Sequence, residues 1–136
     1  MTHARQMVET NPSRPIVDQD TLVECIEACF DSSQACTACA DALLGEGDVP
    51  RFVRCIRLDL DCADVCDATG RILSRQTATE PRMVRAALEA CVLACRLCAE
   101  ECEEHARHGM EHCRVCADAC RRCESACNDV ISAMNA

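Results

Sequence analysis

Cysteine and aliphatic residues recur along most of this 136-residue chain at steps of three and four, the spacing of one helix face. Thr21 and Glu24 have the form of a capping box, Asp48 and Pro50 form a second start signal, and Gly109 interrupts the last part of the pattern. These signals predict four helices, over residues 21–44, 49–74, 80–106 and 110–134.

The four predicted helices are similar in length and are joined by short links, which favours antiparallel neighbours. We therefore expect an all-α protein, folded as an antiparallel up-down-up-down four-helix bundle with a cysteine-lined core. No strand pattern competes with this interpretation. Residues 1–20, which include Pro12 and Pro15, are expected to form a polar, flexible leader, and residues 21–136 the bundle.

The sixteen cysteines all fit four rows, one on the inward face of each predicted helix. The rows are Cys25, Cys29, Cys36 and Cys39; Cys55, Cys62 and Cys66; Cys91, Cys95, Cys98 and Cys102; and Cys113, Cys116, Cys120, Cys123 and Cys127. Ser32 and Asp59 stand where the spacing would place further cysteines. Free cysteine packs as a small hydrophobe, but it buries less hydrocarbon than Leu or Ile, so stability alone does not explain these rows.

Composition and charge narrow the function. The net charge of −9 argues against a protein that neutralises nucleic acid phosphates. No apolar run is long enough for a signal peptide or a membrane-spanning helix, so we expect a cytoplasmic protein with no membrane partner. Thiols stay reduced there, and cysteines three or four apart on a helix are poorly oriented for disulfides. Both points favour metal binding.

Thiolate ligands select Cu(I), Zn(II) or an iron–sulfur cluster. Zinc needs four ligands, usually on flexible loops, whereas these cysteine pairs lie on long helices. Iron–sulfur ligation would leave most of the sixteen cysteines unused. Cu(I) accepts two or three sulfurs and shares them between ions, so parallel rows can hold many ions. We rank Cu(I) first, zinc second and iron–sulfur third.

The two ends of the predicted bundle differ in chemistry. At one end the rows continue as the aliphatic residues Leu22, Leu73, Val84, Leu88, Ile131 and Met134. At the other end the row of the third helix continues to His105, with His108, Met110 and His112 close by. Because imidazole suits copper, His105 is the best non-cysteine ligand candidate, and His108 and His112 are tentative entrance residues that could equally be solvated. Asp59 is a further tentative ligand; it could instead accept a hydrogen bond or point outward.

The thiolate rows, with their Cys-x-x-x-Cys and Cys-x-x-Cys steps, the missing export signal and the histidines at one end resemble the cytosolic branch of the bacterial copper storage proteins. The resemblance covers about residues 21–134, and the slots at Ser32 and Asp59 depart from it. It implies a homotetramer that stores multiple Cu(I) ions through thiolate bridges in the bundle core, with His105 and its neighbours at the entrance.

Other functions fit the sequence less well. Every Cys-x-x-Cys pair lies within a predicted helix among equivalent pairs, so no dithiol is singled out for redox catalysis, and we interpret the protein as non-enzymatic. The alternatives are a zinc or other soft-metal buffer and a copper chaperone. A chaperone would expose one or two cysteines on a docking loop, whereas this sequence places all of them inside. A copper-donor or copper-acceptor chaperone is instead a partner compatible with storage.

Overall fold

The computed structural model describes residues 2–135, in which every regular element is a helix. The helices are α1 (Ala4–Thr10), α2 (Gln19–Leu44), a 3-10 turn (Val49–Phe52), α3 (Val53–Ser74), α4 (Pro81–Ala106) and α5 (Glu111–Asn135). Of the four long helices, α2 and α4 each pack against α3 and α5. The predicted all-α four-helix bundle is therefore confirmed. None of the described helices is long and apolar enough to cross a membrane.

Two of the long helices, α2 and α4, begin at a side-chain hydrogen bond, whereas α3 has no side-chain cap. The Asp18 carboxylate accepts the backbone N–H of Thr21 at 3.0 Å, so α2 begins at Gln19 and the predicted capping box is wrong. Glu80 caps α4 in the same way, since its carboxylate accepts the backbone N–H of Arg82 at 3.1 Å. Both caps are carboxylates at helix N-termini, where the helix dipole favours negative charge.

The leader differs from the flexible segment expected for residues 1–20. Helix α1 buries Ala4 and Val8, four residues apart on one face, against the bundle. Gln76 ties down the segment that follows, because its Oε1 accepts the backbone N–H of Ile16 at 2.8 Å. A helix of seven residues, about two turns, is too short to give a periodic signal, so the docking of α1 could not be predicted from its own pattern.

The interior of the bundle changes character along its length. One end is closed by aliphatic side chains that are almost fully buried, namely Leu22, Leu73, Val84, Leu88 and Val130, while Ile131 and Met134 are only partly buried. The rest of the interior consists mainly of cysteine. On the outer side, Gly70 leaves room for the Phe30 ring, since a Cβ at Gly70 would lie 2.9 Å from Phe30 Cζ. The fold thus joins a hydrocarbon plug to a core of sulfur.

Candidate metal centre

All sixteen cysteines are free thiols that point into the bundle, and none is more than 2% exposed. Each long helix supplies one row, because residues three and four apart share the face that packs against its neighbours. The rows face one another across the bundle axis, so sulfur atoms from different helices lie at van der Waals distance.

The sulfur atoms form an almost unbroken series along the bundle. Successive Sγ–Sγ distances are 3.7 Å for Cys29–Cys123, 3.8 Å for Cys123–Cys91, 3.7 Å for Cys91–Cys66, 3.7 Å for Cys66–Cys62, 3.9 Å for Cys62–Cys120, 3.4 Å for Cys120–Cys36, 3.9 Å for Cys36–Cys98, 4.0 Å for Cys98–Cys102 and 3.8 Å for Cys102–Cys55. Cys95 joins this series through Cys66 at 3.5 Å, and Cys116 joins it through Cys36 at 3.7 Å. The four remaining cysteines form two pairs, Cys25–Cys127 at 3.6 Å, near the aliphatic plug, and Cys39–Cys113 at 3.8 Å, near the histidine end.

Ligand atoms also gather in compact groups of four, each with all its atoms within 4.8 Å of one another. The all-sulfur groups include Cys29, Cys91, Cys123 and Cys127; Cys36, Cys62, Cys98 and Cys120; and Cys66, Cys91, Cys95 and Cys123. Because Cys91 and Cys123 each belong to two of these groups, the groups share ligands. Shared ligands suit bridged polynuclear clusters better than isolated single-ion sites.

The two non-cysteine slots both face the sulfur core. Ser32 is fully buried, and its Oγ lies 3.5 Å from Cys66 Sγ and 3.7 Å from Cys120 Sγ. Asp59 is also fully buried, and its Oδ1 accepts a hydrogen bond from Cys98 Sγ at 3.0 Å. The alternative that Asp59 points outward is therefore wrong. Burial raises the pKa of this carboxyl group, against hydrogen bonds from the surrounding thiols that lower it.

The histidines at the other end differ in how they reach the sulfur atoms. His112 Nδ1 lies 3.4 Å from Cys39 Sγ and 3.7 Å from Cys113 Sγ, so its ring touches the end of the core directly. The opposite ring atom, Nε2, lies 3.2 Å from Glu46 Oε1, in the link that follows α2. A carboxylate on one imidazole nitrogen and sulfur beside the other is an arrangement typical of metal-binding histidines.

His105 and His108 are placed less directly. His105 packs edge-on against the Phe52 ring, with centroids 5.2 Å apart, and its buried Nε2 has no hydrogen-bond partner. The His108 side chain is exposed, and its Nδ1 lies 3.0 Å from the Glu104 carbonyl oxygen. Met110 is partly buried against the core. Of the three histidines, only His112 has a ring nitrogen at hydrogen-bond distance from cysteine sulfur, although the sequence favoured His105.

A surface pocket of about 230 Å³ lies beside His112 and Cys39, at the histidine end of the bundle. Its lining consists of Gln34, Ala35, Ala38, Cys39, His112 and Val115, from α2 and α5. Ala35 and Ala38 have small side chains, and Cys39, which lines the pocket with them, is 2% exposed. The pocket thus lies against the sulfur core at the end opposite the aliphatic plug.

Thiol contacts also move the acidities of the cysteines. At the plug end, the contact with Cys127 lowers the pKa of Cys25 to about 6, whereas contacts with Cys123 and Cys25 raise the pKa of Cys127. The hydrogen bonds between these thiols thus shift the pKa values of the two partners in opposite directions. Metal ions that bind thiolates must displace such shared protons, so loading the core releases protons.

Sequence reasoning did not find two residues that shape the histidine end. Glu46 lies in a link, where no spacing rule connects it to His112, sixty-six residues later. Phe52 is one of only two phenylalanines in the sequence, and it lies just before the start of α3, at the histidine end. That position was the signal from which its role could have been predicted.

The sequence of this chain matches a known protein family over the part that forms the cysteine core. Residues 18–132 match the family described as Csp, copper storage protein. This chain belongs to that family. The match begins at the Asp18 cap and extends through most of α5, so it covers the whole of the cysteine core.

Solved structures of one relative are similar to this chain. The copper storage protein Ccsp from Streptomyces lividans, in a form loaded with 10 copper equivalents, is 46% identical with a TM-score of 0.92, and the match covers 96% of this chain and 98% of that one. A cytosolic copper storage protein from the same organism, loaded with five coppers, is 50% identical with a TM-score of 0.81 over 83% of this chain and 93% of that one. An uncharacterized cysteine-rich protein of Bacillus subtilis, YhjQ, is 33% identical over 81 residues, which is 60% of this chain and 71% of that one.

Proposed function

We propose that this protein stores and sequesters multiple Cu(I) ions in the cytoplasm, by thiolate coordination inside the bundle. The observation that carries the proposal is the nearly continuous series of Sγ contacts, at 3.4 to 4.0 Å, through the interior. Cu(I) is the soft ion that accepts two or three sulfurs and shares them, so neighbouring ions can use the same thiolate. Its ligands in this proposal are the sixteen cysteines together with the histidines that reach them.

Charge supports a monovalent cargo. A thiolate buried in a low-dielectric interior is costly unless it is paired with a cation, and each bound Cu(I) offsets one thiolate. The rows hold no protein cation within the described chain. The buried thiols can therefore lose their protons only as metal ions bind. The core is expected to be largely protonated when empty and to exchange its protons for copper.

Entry and exit take place at the histidine end. His112 supplies the atom nearest the sulfur core, at 3.4 Å from Cys39, and the surface pocket beside it is open to solvent. His105, next to Phe52, and the exposed His108 bind Cu(I) transiently as it enters or leaves, and do not hold stored ions. The opposite end cannot admit ions easily because aliphatic side chains fill it and offer no ligand.

The function is non-enzymatic, since the buried thiols are many, equivalent and shielded from substrate. We also propose that the chain assembles as a homotetramer, as the family resemblance implies. The surface keeps several large apolar side chains in water, among them Leu60, Leu93 and Val115, that an assembly could cover. A copper chaperone that delivers or removes the metal would dock at the histidine end.

Two other functions are disfavoured by particular observations. A copper chaperone presents its cysteines to a partner, whereas every cysteine here is buried. A zinc buffer would use separate groups of four ligands, whereas several groups here share members.

Counting the metal tests the proposal. Fully reduced protein is loaded anaerobically with excess Cu(I), passed through gel filtration and weighed by native mass spectrometry. Storage predicts more than eight Cu(I) ions per chain, that is, more than one for every two of its sixteen cysteines. About four ions per chain, with zinc bound more tightly, would replace copper storage with a zinc function.

A further inference from the structure

Within the described chain, Asp59 is the one carboxylate in the sulfur core, and one of its two carboxylate oxygens has no hydrogen-bond partner. Its Oδ1 accepts hydrogen bonds from Cys98 at 3.0 Å, Cys116 at 3.3 Å and Cys102 at 3.6 Å. Its Oδ2 is buried and makes no hydrogen bond. A buried carboxylate oxygen without a partner is costly, so the feature requires an explanation.

The atoms around Asp59 are arranged for a four-coordinate ion. Cys36, Asp59, Cys98 and Cys116 each offer one ligand atom, and these atoms all lie within 4.8 Å of one another. A tetrahedral zinc ion with Zn–S bonds of about 2.3 Å needs S–S separations of about 3.8 Å. The Sγ atom of Cys36 lies 3.9 Å from that of Cys98 and 3.7 Å from that of Cys116. Only small adjustments are therefore needed to hold a tetrahedral ion.

The donor set distinguishes between metals. Carboxylate is a hard ligand that Cu(I) binds poorly, whereas zinc accepts thiolate and carboxylate together. The deprotonated set carries four negative charges, of which a divalent ion offsets two and Cu(I) only one. Such an offset matters most where the site is fully buried, as Asp59 is.

We propose that Cys36, Asp59, Cys98 and Cys116 form a site for one divalent ion of the zinc class, set within the core that otherwise takes copper. The site is filled when copper is scarce, and copper competes with zinc for the three thiolates as loading proceeds. Because the site can be studied in copper-free protein, its failure would leave the storage function untouched.

The test is a zinc titration of reduced, copper-free protein against a competing chelator, with two variants. Asp59→Asn keeps the shape of the side chain and removes its charge. Asp61→Asn is the matched control, since Asp61 lies on the same helix but is half exposed and pairs with Arg57. Loss of an outer-shell partner of a metal ligand costs about 10- to 100-fold in affinity, so loss of a direct ligand should cost at least about tenfold for the first zinc ion. Asp61→Asn should bind like the unchanged protein.

X-ray absorption of the unchanged protein with one zinc per chain supplies a second readout that needs no variant. The proposal predicts three sulfurs at about 2.3 Å and one oxygen at about 2.0 to 2.2 Å. Four sulfurs, no tight first zinc ion, or equal affinity for zinc in Asp59→Asn and the unchanged protein would each overturn it. Copper capacity measured on the same preparations shows whether storage stands independently.

Discussion

Removing a leucine from the aliphatic plug should weaken the fold and leave the copper capacity intact. Leu88 is fully buried on α4, one turn before the first cysteine of that helix, Cys91. Leu88→Ala removes three carbons, each worth about 0.8 kcal/mol of burial, or about 2.4 kcal/mol in all. The cavity left behind adds to this loss, so we expect a total of about 2.5 to 5 kcal/mol. That is a large part of the stability of about 5 to 15 kcal/mol typical of a domain.

The loss is measured by urea unfolding of the reduced, metal-free protein under anaerobic conditions, followed by the helical circular dichroism signal. Leu93→Ala is the control, since Leu93 lies on the same helix but is 49% exposed, and its loss should change stability by less than about 0.5 kcal/mol. Equal stabilities for the two variants would refute the view that hydrocarbon at the plug supports a sulfur core. A loss of several copper ions in Leu88→Ala would refute the separation of the plug from the metal centre.

Three further predictions concern the histidine end, the leader and the metal. His112→Ala should slow Cu(I) uptake from a chelating donor, measured by stopped-flow absorption, more than His108→Ala does, because only His112 contacts cysteine sulfur; a larger effect from His108 would contradict this order. Total capacity should fall by about one ion at most, since every thiolate remains. In α1, Val8→Asp should lower the free energy of unfolding by more than about 1 kcal/mol, because it buries a charge, whereas Met7→Asp, at an exposed position, should have little effect; equal effects would mean that α1 does not dock. Copper loading should raise the free energy of unfolding, by about 4 kcal/mol for each site whose free ligand exceeds its Kd 1,000-fold, and removal of copper by a chelator should reverse the gain. Thermal unfolding of loaded and stripped protein measures this difference, and equal midpoints would indicate that copper binds outside the folded core.

Much of the fold could be predicted because the rows of cysteine carry their own periodicity. Steps of three and four fixed the inward face of each long helix, and links of a few residues fixed their antiparallel order. The sequence could not reveal that Asp18 caps α2, because Thr21 and Glu24 offered an equally good local pattern and the competition is decided by backbone geometry. Nor could it reveal the docking of α1, which depends on apolar contacts with distant helices.

The burial of the cysteines inside the bundle could be predicted from the sequence, but not which sulfur atoms lie next to one another. Which sulfur atoms approach one another depends on the rotation and register of each helix, and spacing within one helix says nothing about either. The same limit explains the histidines. His105 continues a cysteine row on its own helix, so the spacing favoured it as a ligand. His112 instead contacts Cys39 on another helix, and Glu46, in the link after α2, lies against its other ring nitrogen.

The most direct test of copper storage is an anaerobic titration of the reduced protein with Cu(I) against a competing chelator of known affinity, with a parallel Zn(II) titration. Bridged thiolate storage predicts tight binding of more than eight Cu(I) ions per chain, half its number of cysteines, and at most one comparably tight zinc ion. Saturation at about four ions, with Zn(II) preferred, would contradict storage and indicate separate four-cysteine zinc sites.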